Sequence, residues 1–178
     1  MQVGLEKNYF ELFGLPMRFD IDNADLSARY LDLQRHVHPD RYASGSDQQR
    51  RLALQMTAQI NEAFQTLKDP LARGRYILSL HGVSTDEETD TVMDPAFLLE
   101  QMELREGVQE ARTAQDRPQR LQALMQGIEQ RLALGTEELG RQLNENSSTS
   151  LARARSVVRE TQFLRKVQRE IEDLEQSE

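Results

Sequence analysis

The sequence predicts an all-α protein in two parts: an antiparallel helical hairpin with flanking short helices, then a three-helix bundle. Three observations carry this. Apolar residues recur at helical spacing along most of the chain, while strict alternation over a strand length is absent and β-branched residues are few. Charge is unevenly divided: residues 1–83 hold 10 basic and 10 acidic side chains, residues 84–178 hold 12 and 20, so the net charge of -8 falls on the second half. Between the halves, 81–90 is polar and without periodicity. We therefore expect one domain over 1–83, a linker over 84–94 and a second domain over 95–178.

A short helix fits Tyr9 to Phe13, with Gly14-Leu15-Pro16 ending it. A second runs from about Asp25 to Val37, with Leu26, Tyr30, Leu33 and Val37 on a narrow stripe and Arg29, Asp32, Arg35 and His36 outside it. A third begins near Asp47, a plausible N-cap, and carries Leu52, Met56, Ile60, Ala63 and Leu67 along one stripe with Phe64 beside it. Asp69-Pro70 closes it and opens a fourth over Leu71 to Leu80, since proline suits a first helical position. Gly82 reads as that helix's stop. In the second half, Pro95 opens a helix running to about Ala114. Two longer helices follow, from about Pro118 to Leu143 and from about Ser150 to Leu174, broken by the loop 144–149. Leu121, Met125, Ile128, Leu132, Leu139 and Leu143 line the first of these, and Val157, Thr161, Leu164, Ile171 and Leu174 the second. Short connections between three helices give an antiparallel bundle.

Composition excludes several classes of function. There is no cysteine, hence no disulfide, thiol catalysis, Cys-ligated zinc or cysteine-held iron–sulfur cluster. No apolar run approaches 18 residues, the N-terminus lacks the features of a signal peptide, and a cytoplasmic location is expected. A net-acidic chain is a poor nucleic-acid binder. Aromatics are 6% with no Trp, so the core must lean on Leu, Ile, Val and Met. There is no phosphate-binding Gly-rich loop, and His36, His38, Asp40 and His81 lack the spacing of a metal or catalytic cluster. The chain does not read as an enzyme, and no cofactor or metal is implied.

Pro39 pushes His38 out of the α region, so the second helix must end there. The connection 38–46 is short enough to force the two long helices back on each other, displaying His38 and Asp40 at the hairpin tip. A given tripeptide occurs by chance in roughly one chain in a hundred of this length, so context decides. Here the context is Tyr9-Phe10-Glu11-Leu12-Phe13-Gly14-Leu15 before the loop and Ile60-Asn61-Glu62-Ala63-Phe64-Gln65-Thr66-Leu67 after it. Together these residues resemble the J-domain of the DnaJ-type co-chaperones over about the first 75 positions. The resemblance implies a module that docks on a DnaK-type ATPase chaperone and stimulates its ATP hydrolysis. His38, Pro39 and Asp40 carry over, with Arg29, Arg35 and Arg41 as candidate electrostatic contacts. Asp40 could pair with an arginine of the ATPase domain; cutting one member of a desolvated pair typically costs about 2–5 kcal/mol. Many J-domains carry a run of lysines on the second helix where this chain has scattered arginines, which points to a dedicated chaperone partner.

The helix from Pro95 has two apolar faces. Phe97, Leu104, Val108 and Ala111 form a core stripe, and Leu98, Leu99 and Met102 lie roughly opposite, flanked by Glu103 and Glu106. Leaving those three in water forgoes roughly 1.5–3 kcal/mol each. Either the helix is buried on both sides or this is a docking patch edged with acid, where Met adds adaptability. Phe163 falls at the flank of the last helix's stripe, where spacing does not separate packing from partner contact. The stretches Arg75-Tyr76-Ile77-Leu78-Ser79-Leu80-His81-Gly82 and Phe97-Leu98-Leu99-Glu100-Gln101-Met102-Glu103-Leu104-Arg105-Glu106, with the J-domain motif, resemble the HscB family, the J-domain co-chaperones of iron–sulfur cluster biogenesis, in its bacterial form. That resemblance spans nearly the whole chain. It implies a bundle that binds the scaffold IscU through Leu98, Leu99, Met102, Glu103, Glu106 and Phe163, and a J-domain that engages the chaperone HscA and stimulates its ATPase. A monomer is expected. The alternatives are a J-domain co-chaperone for a different client, and a helical adaptor without ATPase stimulation.

Overall fold

The computed structural model describes residues 7–37, 46–85 and 95–176. They form seven helices: α1 (Tyr9–Phe13), α2 (Asn23–Val37), α3 (Asp47–Lys68), α4 (Pro70–Leu80), α5 (Pro95–Thr113), α6 (Arg117–Glu145) and α7 (Ser148–Gln176). The all-α class holds, with no strand among the described residues. The chain forms two compact units, Met1–Ile77 and Leu78–Glu178, the division falling within α4.

In the first unit, α2 and α3 pack as an antiparallel pair, and α1 lies against both. Leu26, Leu33 and Val37 of α2 are buried, as are Ile60, Ala63, Phe64 and Leu67 of α3 and Phe10, Leu12 and Phe13 of α1. Tyr30 stacks on Phe64 with ring centroids 4.1 Å apart, and its hydroxyl donates to Asn61 Oδ1. Helix ends are satisfied locally. Asn8 and Glu11 form a capping box on α1, each side chain accepting from the other's backbone N–H at 3.0 Å. Gly14, at φ +64°, ends α1 in a Schellman turn: its N–H donates to Glu11 O, and that of Leu15 to Phe10 O. Gly82, at φ +74°, ends α4 in the same way, where the sequence places the stop.

Two sequence expectations change here. The N-cap of α3 is Ser46, whose hydroxyl accepts from the Gln49 N–H, so Asp47 is the first helical residue. The buried stripe of α3 begins at Ala53, while Leu52 is 47% exposed. At about 100° per residue, Ala53 lies about 20° from Ile60 around the helix and Leu52 about 80° away. Two successive i+4 steps drift off the face. On α4, Leu71, Ile77 and Leu78 are buried and Leu80 is exposed.

The buried Arg73 ties α3 to α4. Its guanidinium donates to Leu67 O at 2.7 Å, at the carbonyl end of α3, and lies 4.9 Å from the Phe19 ring centroid. Burial lowers its pKa from the ordinary value, with Asp20 and Asp69 acting in the opposite sense.

In the second unit, α5, α6 and α7 form the three-helix bundle, α6 and α7 sharing the longest contact. Its core is Val108 and Ala111 of α5, Leu121 and Ile128 of α6, and Leu164, Val167 and Ile171 of α7. Leu104, Met125, Leu132 and Leu174 pack against it partly buried. Beyond the start of α5 the α6–α7 pair continues, burying Leu139, Leu143, Ala154, Val157 and Val158. Asn146, at φ 52°, closes α6, and Ser147 caps α7 by accepting from the Ser150 N–H at 3.0 Å. Arg117 donates to Leu174 O, joining the start of α6 to the end of α7.

Candidate functional site

The two faces of α5 separate as the spacing predicts. Leu104, Val108 and Ala111 turn into the bundle, while Leu98, Leu99 and Met102 are 46%, 57% and 62% exposed. Burial of α5 on both sides is thereby excluded within this unit. Glu103 and Glu106 are exposed on the same helix. An apolar centre with an acidic edge is what a docking surface for a basic, apolar segment needs.

Phe163 is half-buried. Its ring meets that of Phe97 edge-to-face at 6.0 Å, and the Arg105 guanidinium lies 5.7 Å from its centroid. It thus packs at the bundle edge, beside the start of α5, with part of its surface open. The Glu100–Arg131 ion pair, at 2.6 Å, holds the same end of α5 against α6.

In the first unit, Arg29 is committed to structure. Its Nε donates to Asp25 Oδ1 at 2.9 Å, and its Nη1 donates to Phe13 O at 3.0 Å and Gly14 O at 3.1 Å. It therefore clamps the carbonyl end of α1 onto α2. Arg35 is exposed in the last turn of α2 beside His36, where positive charge suits the helix dipole. The His36 ring Nδ1 lies 2.7 Å from Asp32 O. His38, Pro39, Asp40 and Arg41 lie outside the described residues.

Among the described residues no three His, Asp or Glu side chains gather as a metal cluster, and no helix is long and apolar enough to cross a membrane. One feature of the second unit has no single-helix signature: a cleft walled by α5, α6 and α7, with Leu134 at 59% exposure on its edge. Leu134 lies off the stripe of α6, and only the packing of three helices shows what it borders.

The chain aligns with the co-chaperone protein HscB homolog of Shewanella oneidensis at 43% identity over 168 residues, covering 94% of this chain and 97% of the relative. The chain belongs to the HscB co-chaperone family. The homolog of Shewanella loihica is 40% identical with the same coverage. The family model described as the HSCB C-terminal oligomerisation domain matches residues 93–172, which hold α5, α6 and most of α7. Among solved structures, chaperone HscB from Vibrio cholerae superposes with a TM-score of 0.83 at 38% identity, covering 96% of this chain and 98% of that one. Human co-chaperone protein HscB gives a TM-score of 0.87 at 26% identity, covering 98% of this chain and 84% of that one. A J-domain followed by a C-terminal helical bundle is the architecture of the family, and it is this chain's architecture.

Proposed function

We propose that this co-chaperone binds the iron–sulfur scaffold IscU on α5, delivers it to the chaperone HscA and stimulates HscA ATP hydrolysis. The observation that carries the reading is the exposed Leu98, Leu99 and Met102 triad on a helix whose other face is buried. Glu103, Glu106 and the open part of Phe163 complete the scaffold contact. Residues 1–83 act as the J-domain, 84–94 as linker and 95–178 as the scaffold-binding domain. His38, Pro39 and Asp40 meet the ATPase domain, with Arg35 and Arg41 supplying charge and Arg29 acting through the fold of α1 on α2. The chain works as a cytoplasmic monomer and carries no cluster or nucleotide of its own. Holding scaffold and chaperone on one chain makes their encounter effectively intramolecular, so a high local concentration replaces a bimolecular search. HscA, once it has hydrolysed ATP, retains the scaffold and promotes cluster release.

The test is the steady-state ATPase rate of HscA with this chain, with and without IscU, for wild type and His38→Gln. The reading predicts a rise that needs His38 and grows further with IscU. A rise without any increment from IscU points to a different client. A flat rate with IscU still bound reduces the chain to an adaptor.

A further inference from the structure

The cleft in the second unit has a volume of about 270 Å³. Buried Val157, Thr161 and Leu164 form its floor, Phe97 and Phe163 line one part, and exposed Leu134 forms a lip. That is at the lower edge of the roughly 300–1,000 Å³ of drug-sized ligand sites, and it has room for one large side chain. Its charged walls are already matched: Arg131 with Glu100 at 2.6 Å, and Arg153 with Glu160 at 3.0 Å and Glu138 at 3.9 Å. Hydrogen bonds from Arg141 and Gln142, with Arg153 nearby, hold the Glu138 carboxyl below its ordinary pKa, so that wall stays ionised. An anion or cation entering here would have to break a pair; an uncharged apolar group would not. Gly135 keeps the floor in place, because a Cβ there would stand 3.1 Å from Thr161 Oγ1. Phe163, which lines this cleft edge-to-face with Phe97, is also part of the scaffold contact proposed above. Beyond it lie the exposed Glu103 and Glu106.

We infer that the cleft is a second subsite of the docking surface, taking one apolar side chain of the scaffold segment that binds α5, with Leu134 as its lip. Basic residues of the same segment lie toward Glu103 and Glu106. The inference rests on the docking reading of α5, and its test separates the two.

The experiment is calorimetric titration of the full chain with IscU. Leu134→Glu places a charge at the lip, and Gln122→Glu adds the same charge at an exposed position elsewhere on α6. The subsite predicts about a tenfold or greater loss of affinity for Leu134→Glu, a loss of about threefold for Leu134→Ala, and less than a twofold change for Gln122→Glu. If Leu134→Glu perturbs the helical circular dichroism, Leu134→Ala decides. Binding within twofold of wild type for the Leu134 variants, while Leu98→Ala/Leu99→Ala/Met102→Ala loses binding, overturns the cleft and leaves the α5 reading standing. Unchanged binding for both sets, or none for wild type, overturns both. A wild-type dimer dissolved by Leu134→Glu would assign the cleft to a second copy of this chain and overturn the inference.

Discussion

Consider replacing Leu98, Leu99 and Met102 together with alanine. Roughly half of each side chain is open to water, at 46%, 57% and 62% exposure. Full burial of such a side chain contributes about 1.5–3 kcal/mol, so covering the open half contributes about 0.8–1.5 kcal/mol per residue. Deducting the Cβ that alanine keeps leaves roughly 2–4 kcal/mol for the three, or about 30- to 1,000-fold in Kd at about 1.4 kcal/mol per tenfold. The same substitutions should change folding stability little. Exposed positions usually move it by less than about 0.5 kcal/mol each, and alanine is the better helix former. Titration calorimetry with IscU reads the first effect, and urea denaturation followed at 222 nm reads the second. A Kd within threefold of wild type would refute the docking assignment. A loss of binding accompanied by lost helicity would show that the triad supports the fold, contrary to its exposure.

Arg29 and Arg35 should behave differently. Arg29→Met removes the clamp on Phe13 O and Gly14 O and should lower stability by about 1–2 kcal/mol in urea denaturation. Arg35→Gln, at an exposed position, should change stability by less than about 0.5 kcal/mol and raise the concentration needed for half-maximal HscA stimulation. Ile171→Ala, at a fully buried position where the core of the bundle closes, should cost about 2–5 kcal/mol and lower the thermal midpoint. Alkaline pH should also destabilise the fold. Burial and the Glu62 carboxylate raise the Tyr9 hydroxyl from 10.0 to about 12, and burial raises Tyr76, on which it stacks at 4.3 Å. Between pH 10 and 12 the folded chain keeps a proton at Tyr9 that the unfolded chain has lost. Stability from this group is therefore full below pH 10 and falls as pH rises toward 12. Denaturation at pH 9 and pH 11 checks it, and Tyr9→Phe should flatten the difference.

Periodicity carries information about one helix at a time, and what was legible follows that limit. The faces of α5 separate because Leu104 and Val108 are one turn apart while Leu98 and Met102 fall across the helix from them. Gly82 was readable as a stop because its left-handed turn is a local demand on the backbone. Leu52 misled because residue type outweighed angle: Ala53 is small, yet it lies on the buried face. Val167 is buried beside the expected stripe of α7 because both α5 and α6 pack there, covering a wider arc than one neighbour would. Arg29 read as an outward charge, since nothing along α2 shows that the end of α1 brings two carbonyls to it. The cleft beside Phe163 is likewise a product of three helices meeting, and no single stretch of sequence contains it.

In the function proposed above, one chain holds the scaffold and triggers the chaperone through separate surfaces. The most direct measurement is the HscA ATPase rate with the Leu98→Ala/Leu99→Ala/Met102→Ala variant, taken without IscU and then across an IscU titration. Stimulation without IscU should match wild type, and the further increment with IscU should shift to about 30-fold or higher concentration, in step with the lost affinity. An increment that appears at the wild-type IscU concentration would contradict it.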